Sequence, residues 1–266
     1  MQKGDNCQKH VWLLSGTSEG PPLAVKLASL GWKVSVSVVS HQAARAYDGI
    51  NLDNLWVGSL GGQEGLRNIF IKRSIDGEQF DFVIDATHPF ALVITSNLFE
   101  VCSQFHQPLI RFERPLVTPK NVIYFDSLLD LHSSELKDKN VLLALGVRDL
   151  REASKYLRKA GANVFARILP SPGSLQKALS SSIPESHLAI LHPKESQPNG
   201  FIERALCHQW SISTVVCRQS GGPTQHIWEQ ICIEKELQLW MVPRPVLPQG
   251  LETFADFRGI LKRISY

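Results

Sequence analysis

The stretch Asp85-Ala86-Thr87-His88-Pro89-Phe90-Ala91, which closes the apolar run 80–84, decides how this chain is read. Phe82, Val83, Ile84 and Ala86 around Asp85 have the composition of a buried strand. Thr87, His88 and Pro89 break that strand, and 90–105 then carries helical spacing. In an open α/β sheet, ligands bind outside the carboxyl ends of the strands. A threonine, a histidine and a proline of fixed φ at such an end therefore mark a candidate site as well as a turn. Arg111-Phe112-Glu113-Arg114-Pro115 ends the next strand, expected over 108–112. Together the two runs point to an enzyme.

Working outward, the same alternation continues in both directions. Strands are expected over 10–15, 32–39 and 54–58, with helical spacing over 19–30 and 64–74 and a short amphipathic piece over 41–47. Strand, helix, strand in steps of about 25–35 residues signals βαβ units and a parallel sheet. After Pro115 the rhythm restarts. Strands over 121–125, 140–145, 163–168, 187–191, 213–216 and 239–242 alternate with helices over 127–136, 150–160, 174–179, 200–210 and 224–237, and 254–264 closes the chain. The expected architecture is α/β: two Rossmann-like, doubly wound parallel-sheet domains, 1–115 and 116–266, with a cleft between their strand ends.

Composition narrows the class. Hydrophobic residues make up 43% and charged residues 20%, as in ordinary globular proteins. No run approaches the roughly 18 uncharged apolar residues of a membrane span. Residues 1–10 are polar, with no apolar signal core, so a cytoplasmic location is expected. The five cysteines are scattered without a CxxC pair, against a disulfide framework or a zinc site. They read as small buried thiols. A net charge of +3, without a basic run, does not fit nucleic-acid binding. Arg111, Arg114, Arg148, Arg167 and Arg218 nonetheless collect at expected strand ends, which suits a substrate carrying carboxylates or phosphates.

Several loops carry residue types suited to a cofactor. Ser15-Gly16-Thr17-Ser18-Glu19-Gly20 joins the first strand to the first helix, where glycine permits close backbone approach and a helix N-terminus offers N–H groups to phosphate. The alternative is a plain cap, with Thr17 or Ser18 at the N-cap and Pro21 and Pro22 in the first turn. The second strand ends in Ser40 and His41, with Arg45 one turn on and no acidic residue for a ribose. That favours the 2′-phosphate of NADPH over NADH. His88 titrates near neutrality and is the candidate acid, with a backbone-bonded structural histidine as the alternative. Arg111 and Arg114 read either as forks for carboxylates or as partners of Glu113. In the second half, Arg167-Ile168-Leu169-Pro170 ends one strand, and Arg218-Gln219-Ser220-Gly221-Gly222 ends another with a glycine-rich turn. The second run reads as an anion cradle or as a loop that needs positive φ. No GxGxxG, P-loop, YxxxK, GxSxG or HExxH pattern is present.

Taken in order, Gly16-Thr17-x-Glu19, Asp85-Ala86-Thr87-His88-Pro89-Phe90-Ala91, Arg111-x-Glu113-Arg114-Pro115, Leu145-Gly146, Arg167-Ile168-Leu169-Pro170, Ser220-Gly221 and Arg244-Pro245 resemble the precorrin-6A reductase family of corrin biosynthesis, its cobalt-precorrin-6A branch included. The resemblance runs over nearly the whole chain. It implies a reductase that takes hydride from NADPH, or NADH, and saturates one double bond of the precorrin-6A macrocycle to give precorrin-6B. It also implies a carboxylate-rich tetrapyrrole as ligand, with hand-over contacts to neighbouring corrin-pathway enzymes. No metal, nucleic acid or membrane partner is expected. The expected site has His88 as catalytic acid. Gly16, Thr17, Ser18, Ser40, His41, Arg45, Thr87, Arg218, Ser220 and Gly221 hold the cofactor. Arg111, Arg114, Arg148, Arg167 and Lys194 hold the substrate. The chain has Ser15-Gly16 where the family commonly has two glycines, and Arg218 where a lysine is common; Lys194-Glu195-Ser196 is partly similar to that lysine motif. Two other readings compete with a reductase: a transferase on a nucleotide-linked substrate, and a protein that captures an anionic ligand without turnover.

Overall fold

The computed structural model describes residues 8–116, 118–119, 121–191 and 199–265. In chain order the elements are β1 (His10–Ser15), α1 (Gly20–Ser29), β2 (Lys33–Val38), α2 (His41–Ala44), β3 (Asn54–Val57), α3 (Gly62–Ile75), β4 (Phe82–Ala86), α4 (Leu92–Gln104), β5 (Leu109–Phe112), β6 (Val122–Tyr124), β7 (Asn140–Leu143), α5 (Leu150–Lys159), β8 (Asn163–Ile168), α6 (Pro172–Leu179), β9 (Leu188–Ile190), α7 (Phe201–Gln209), β10 (Thr214–Arg218), α8 (Pro223–Glu234), β11 (Gln238–Val242), β12 (Glu252–Phe254) and α9 (Phe257–Ser265). The chain divides into two compact units, Met1–Pro115 with Pro245–Tyr266, and Leu116–Arg244.

The first unit holds a six-stranded sheet in the order β12-β5-β4-β1-β2-β3, with every pairing parallel. The middles of its central strands β1 and β4 are apolar because helices cover both faces. Val11 and Leu13 of β1 face one layer with Leu23 and Leu27 of α1. Trp12 and Leu14 face the other, with Leu66 and Phe70 of α3 and Leu98 and Val101 of α4. The two-residue period of a strand produces that division.

The last 22 residues depart from the expected 116–266 domain. Glu252–Phe254 pairs in parallel with β5, and α9 buries Ile260 and Ile264 in the first unit's core. Without β12, β5 would be a bare edge offering unpaired N–H and C=O groups. A three-residue strand containing Glu and Thr carries no local signal, so the residues over 254–264 read only as a helix.

The second unit repeats the architecture with the order β6-β11-β10-β7-β8-β9, again all parallel. Val164, Ala166 and Ile168 of β8 pack with α5 and α6, whereas Phe165 faces the α7 and α8 layer. The helix expected over 127–136 is instead two 3-10 turns, Leu128–Leu131 and Ser134–Leu136. Ser127 and Ser133 each accept a backbone N–H two residues on, so serine hydroxyls replace helical bonds and stop propagation. Leu131 and Leu136 still reach the core.

Candidate functional site

Two sheet features set the geometry of the first unit. From β1 the chain winds outward to β2 and β3 on one side, while β4 and β5 lie on the other. The crevice between the carboxyl ends of β1 and β4 is thus a topological switch point, where open α/β sheets bind ligands. Parallel register then places Leu14 beside Asp85, and Asp85 beside Arg111.

Asp85 and Arg111 are both fully buried. Asp85 Oδ1 accepts the Thr87 N–H (3.0 Å) and hydroxyl (2.7 Å), which locks the turn that carries His88. Its Oδ2 accepts Arg111 Nη1 (2.6 Å) and the Thr95 hydroxyl (2.7 Å). Arg111 Nε donates to Glu113 (2.7 Å), and Nη1 also reaches Thr95 Oγ1 (2.9 Å). Arg111 is therefore a structural cation. The expectation that it holds substrate is corrected: a guanidinium at zero exposure is committed to Asp85 and Glu113, which neutralise it in a dry environment. The Thr87 hydroxyl, expected on the cofactor, is committed to Asp85.

Arg114 is corrected in the same way. Its Nε and Nη2 grip Glu19 side-on, each at 2.7 Å, so the loop after β1 is tied to the end of β5. Burial raises the Glu19 carboxyl, but hydrogen bonds from Arg114 and Thr17 outweigh it and hold the group below its usual range. Sequence reasoning placed Glu19 in a motif without finding its partner, which lies 95 residues away. Thr95 was missed altogether; a threonine on the buried side of α4 was its only signal.

The loop after β1 also differs from expectation. The N-cap of α1 is Glu19, not Thr17 or Ser18, and it makes no side-chain cap. Gly20 N–H bonds to Thr17 O (3.3 Å), and Pro21 and Pro22 have no N–H, so the helix end offers no phosphate cradle. The loop itself remains suited to one. Among the described residues, the N–H groups of Thr17 and Ser18 have no acceptor within the chain. Thr17 Oγ1 donates to Ala86 O (3.2 Å), and a Cβ at Gly16 would lie 3.7 Å from the His88 nitrogen. Gly16, Thr17, Thr87 and His88 are thereby brought together. His88 is half-buried, and its Nδ1 accepts the Phe90 N–H (3.2 Å), which places the proton of the neutral ring on Nε2.

At the carboxyl end of β2, Ser40 accepts the Ala43 N–H (3.2 Å) and caps α2, while His41 and Arg45 are exposed beside it. Among the described residues 38–45 of this strand end, none is acidic.

In the second unit the switch point lies between β7 and β10. Arg218 spans it and pairs with Asp149, a residue sequence reasoning did not single out. Ser220 is buried, and Gly221, at φ +68°, gives its N–H to Gln225 Oε1 (2.6 Å). Within the turn the Ser220 N–H bonds to Arg218 O (2.8 Å), so the N–H groups of Ser220 and Gly221 are both taken inside the chain. Arg148 is exposed after β7, and Arg167 is buried near the end of β8. Lys194, Glu195 and Ser196 lie outside the described residues.

Two other features are set aside. A cavity of about 570 Å³ in the first unit lies by the amino ends of β3 and β4, lined by Asp53, Trp56, Arg73 and Glu78 among others. Of its charges, Arg73 pairs with Glu78, and Asp53 with Lys33 beside it. The four described cysteines are all buried, and burial pushes the Cys207 thiol up to about 11 and the Cys102 thiol up to about 12, leaving no thiolate for chemistry.

Two doubly wound parallel-sheet units, each with one switch point at the carboxyl ends of its strands, define a protein of Rossmann-like α/β architecture. Comparison with known proteins makes the class particular. Residues 10–265 match the family model described as precorrin-6x reductase CbiJ/CobK, and the chain belongs to that family. It is 33% identical over 217 residues to the cobalt-precorrin-6A reductase of Synechocystis sp., covering 80% of this chain and 79% of the relative. It is 26% identical over 243 residues to the precorrin-6A reductase of Mycobacterium tuberculosis, covering 91% of each. Among solved structures it superposes on CobK precorrin-6A reductase with a TM-score of 0.74, at 22% identity and 97% coverage of both chains. The chain is thus an oxidoreductase of cobalamin biosynthesis, of the precorrin-6A reductase type, with a nicotinamide cofactor. A tetrapyrrole substrate fits this family. Among the described residues, no helix is long and apolar enough to cross a membrane.

Proposed function

We propose that the chain uses NADPH in preference to NADH, bound over the switch point of the first unit, to reduce one double bond of precorrin-6A or its cobalt-containing form. The observation that carries this is the meeting, at one end of one sheet, of uncommitted N–H groups at Thr17 and Ser18 with an acid-free strand end bearing Ser40, His41 and Arg45. The N–H groups suit a diphosphate, and the Arg45 guanidinium suits a 2′-phosphate. When bound, the nicotinamide supplies the hydride.

The chain's own residues do the rest. Gly16 stands beside the backbone of the β4 turn. Asp85, held by Arg111 and Thr95, fixes that turn. His88 is the proton donor to the neighbouring carbon as the imidazolium: protonation at Nδ1 breaks the Phe90 bond, and giving up one ring proton returns the neutral ring that accepts the Phe90 N–H. In the first unit Arg111 and Arg114 are engaged internally; in the second Arg218 is paired with Asp149, whereas Arg148 and Arg167 are left for a carboxylate.

The test is fluorescence titration of the purified chain with NADPH and with NADH, repeated on Arg45→Ala. Loss of one charged contact is expected to weaken NADPH about tenfold or more and leave NADH unchanged. Equal affinity for the two nucleotides in the parent chain would overturn the NADPH preference. Failure to bind either would remove the first unit as the cofactor site.

A further inference from the structure

Arg167 is the penultimate residue of β8 and is 9% exposed. It stands on the same face of the sheet as Phe165, which stacks on Trp210 at the end of α7. Its Nε and Nη2 are buried and have no hydrogen-bond partner. Glu203, in the first turn of α7, exerts a Coulombic pull on it but makes no ion pair with it among the described residues.

The identity of the two empty donors is informative. Nε and Nη2 form the side-on edge of a guanidinium, where two N–H bonds run parallel. Arg114 uses that edge to hold both oxygens of Glu19, and Arg204 uses it on both oxygens of Glu234. Arg111, fully buried at the end of β5, has its Nε filled by Glu113 and its Nη1 by Asp85, with Nη2 alone unpartnered. Arg167 has the same geometry with no carboxylate in it. A buried charge kept without a partner is destabilising to the fold that carries it, and such groups are expected where a ligand completes them.

We infer that Arg167 is the receptor for one carboxylate of the substrate, which enters over the carboxyl end of β8 and takes the Nε–H and Nη2–H side-on. Naming the ligand as the tetrapyrrole rests on the reductase reading above; the empty fork does not. Glu203 argues for a carboxylate over a phosphate, because its nearby negative charge disfavours a dianion more than a monoanion. Arg148, exposed on the loop after β7, offers a looser contact of the same sign.

The test uses the full chain with Arg167→Met and Arg167→Lys, and uroporphyrin, a carboxylate-rich tetrapyrrole, as probe. Dissociation constants for uroporphyrin, NADPH and inorganic phosphate are measured by fluorescence and competition, and melting is followed without ligand. Arg167→Met is expected to weaken uroporphyrin about tenfold to a hundredfold, leave NADPH unchanged, and melt no lower than the parent chain. Arg167→Lys is expected to restore little, since an ammonium cannot fork a carboxylate. The inference is overturned if the parent chain does not bind uroporphyrin, if binding survives Arg167→Met, or if the loss falls on NADPH or phosphate instead. A lower melting point for Arg167→Met, or failure of both variants to fold, would make the residue structural and overturn it as well. The reductase reading fails by a different result: no oxidation of NADPH by the parent chain in the presence of precorrin-6A.

Discussion

The two units have the same sheet and opposite ways of treating charge. In each, a central strand is flanked by two strands on one side and three on the other, so each has one switch point. The first unit pairs its strand-end cations: Arg111 with Asp85, Glu113 and Thr95, leaving only its Nη2 without a partner, and Arg114 with Glu19. The second leaves Arg167 open and exposes Arg148. The difference teaches that an arginine at the end of a parallel strand is not by itself a ligand contact. What matters is whether a carboxylate sits at the adjacent register position, as Asp85 does for Arg111.

The largest expected effect breaks the paired side of this comparison. Asp85→Asn removes the fully buried one of Arg111's two counter-charges, leaving Glu113 alone, and is expected to destabilise the chain by about 3 kcal/mol in urea unfolding. Loss of well under 1 kcal/mol would show that the first unit's network is no tighter than the open fork of the second. Next comes Gly20→Ala. Its Cβ would fall 1.8 Å from Ser15 Oγ and 2.3 Å from Tyr47 Oη, so overpacking of about 1–3 kcal/mol is expected, visible as a lowered midpoint.

pH separates the units further. Burial lowers His10 from 6.5 to about 4, so it stays neutral in the fold. The unfolded chain binds a proton there first, and stability is therefore expected to fall as pH drops from 6.5 towards 4. Glu19 adds a second loss, beginning as pH falls below its ordinary 4.5, because its folded carboxyl is held lower still. Both groups belong to the first unit. His10→Gln should flatten the upper part of the profile; an unchanged slope would remove His10 as its source. The smallest effect is expected at the exposed fork of the second unit: Arg204→Ala should leave the unfolding midpoint unchanged within error, since exposed pairs are screened by water.

Much of the fold was legible because both faces of each sheet are covered by helices. That makes strands such as β4, β7 and β10 short continuous apolar runs, and it places a polar residue at each strand end where the run stops. The segment over 127–136 misled because its leucines have helical spacing while Ser127 and Ser133 compete for the backbone. Of the candidate site, Thr87 and His88 and the acid-free end of β2 were readable from local sequence. Glu113 as a partner of Arg111 was readable too, but Asp85 and Thr95 on Arg111 and Glu19 on Arg114 were not, because they reach across 26, 16 and 95 residues.

By itself, the sequence determined that this chain builds two parallel α/β units and that Asp85-Ala86-Thr87-His88-Pro89 ends a buried strand at a ligand-facing edge. Those features follow from local periodicity and chain-breaking residues, which act over a few positions. Only the tertiary structure decided that β12 and α9 return to the first unit, and which strand-end arginines are neutralised. Both depend on pairing between segments distant in the chain, where the register of one strand against the next settles whether a cation meets a carboxylate or stands open.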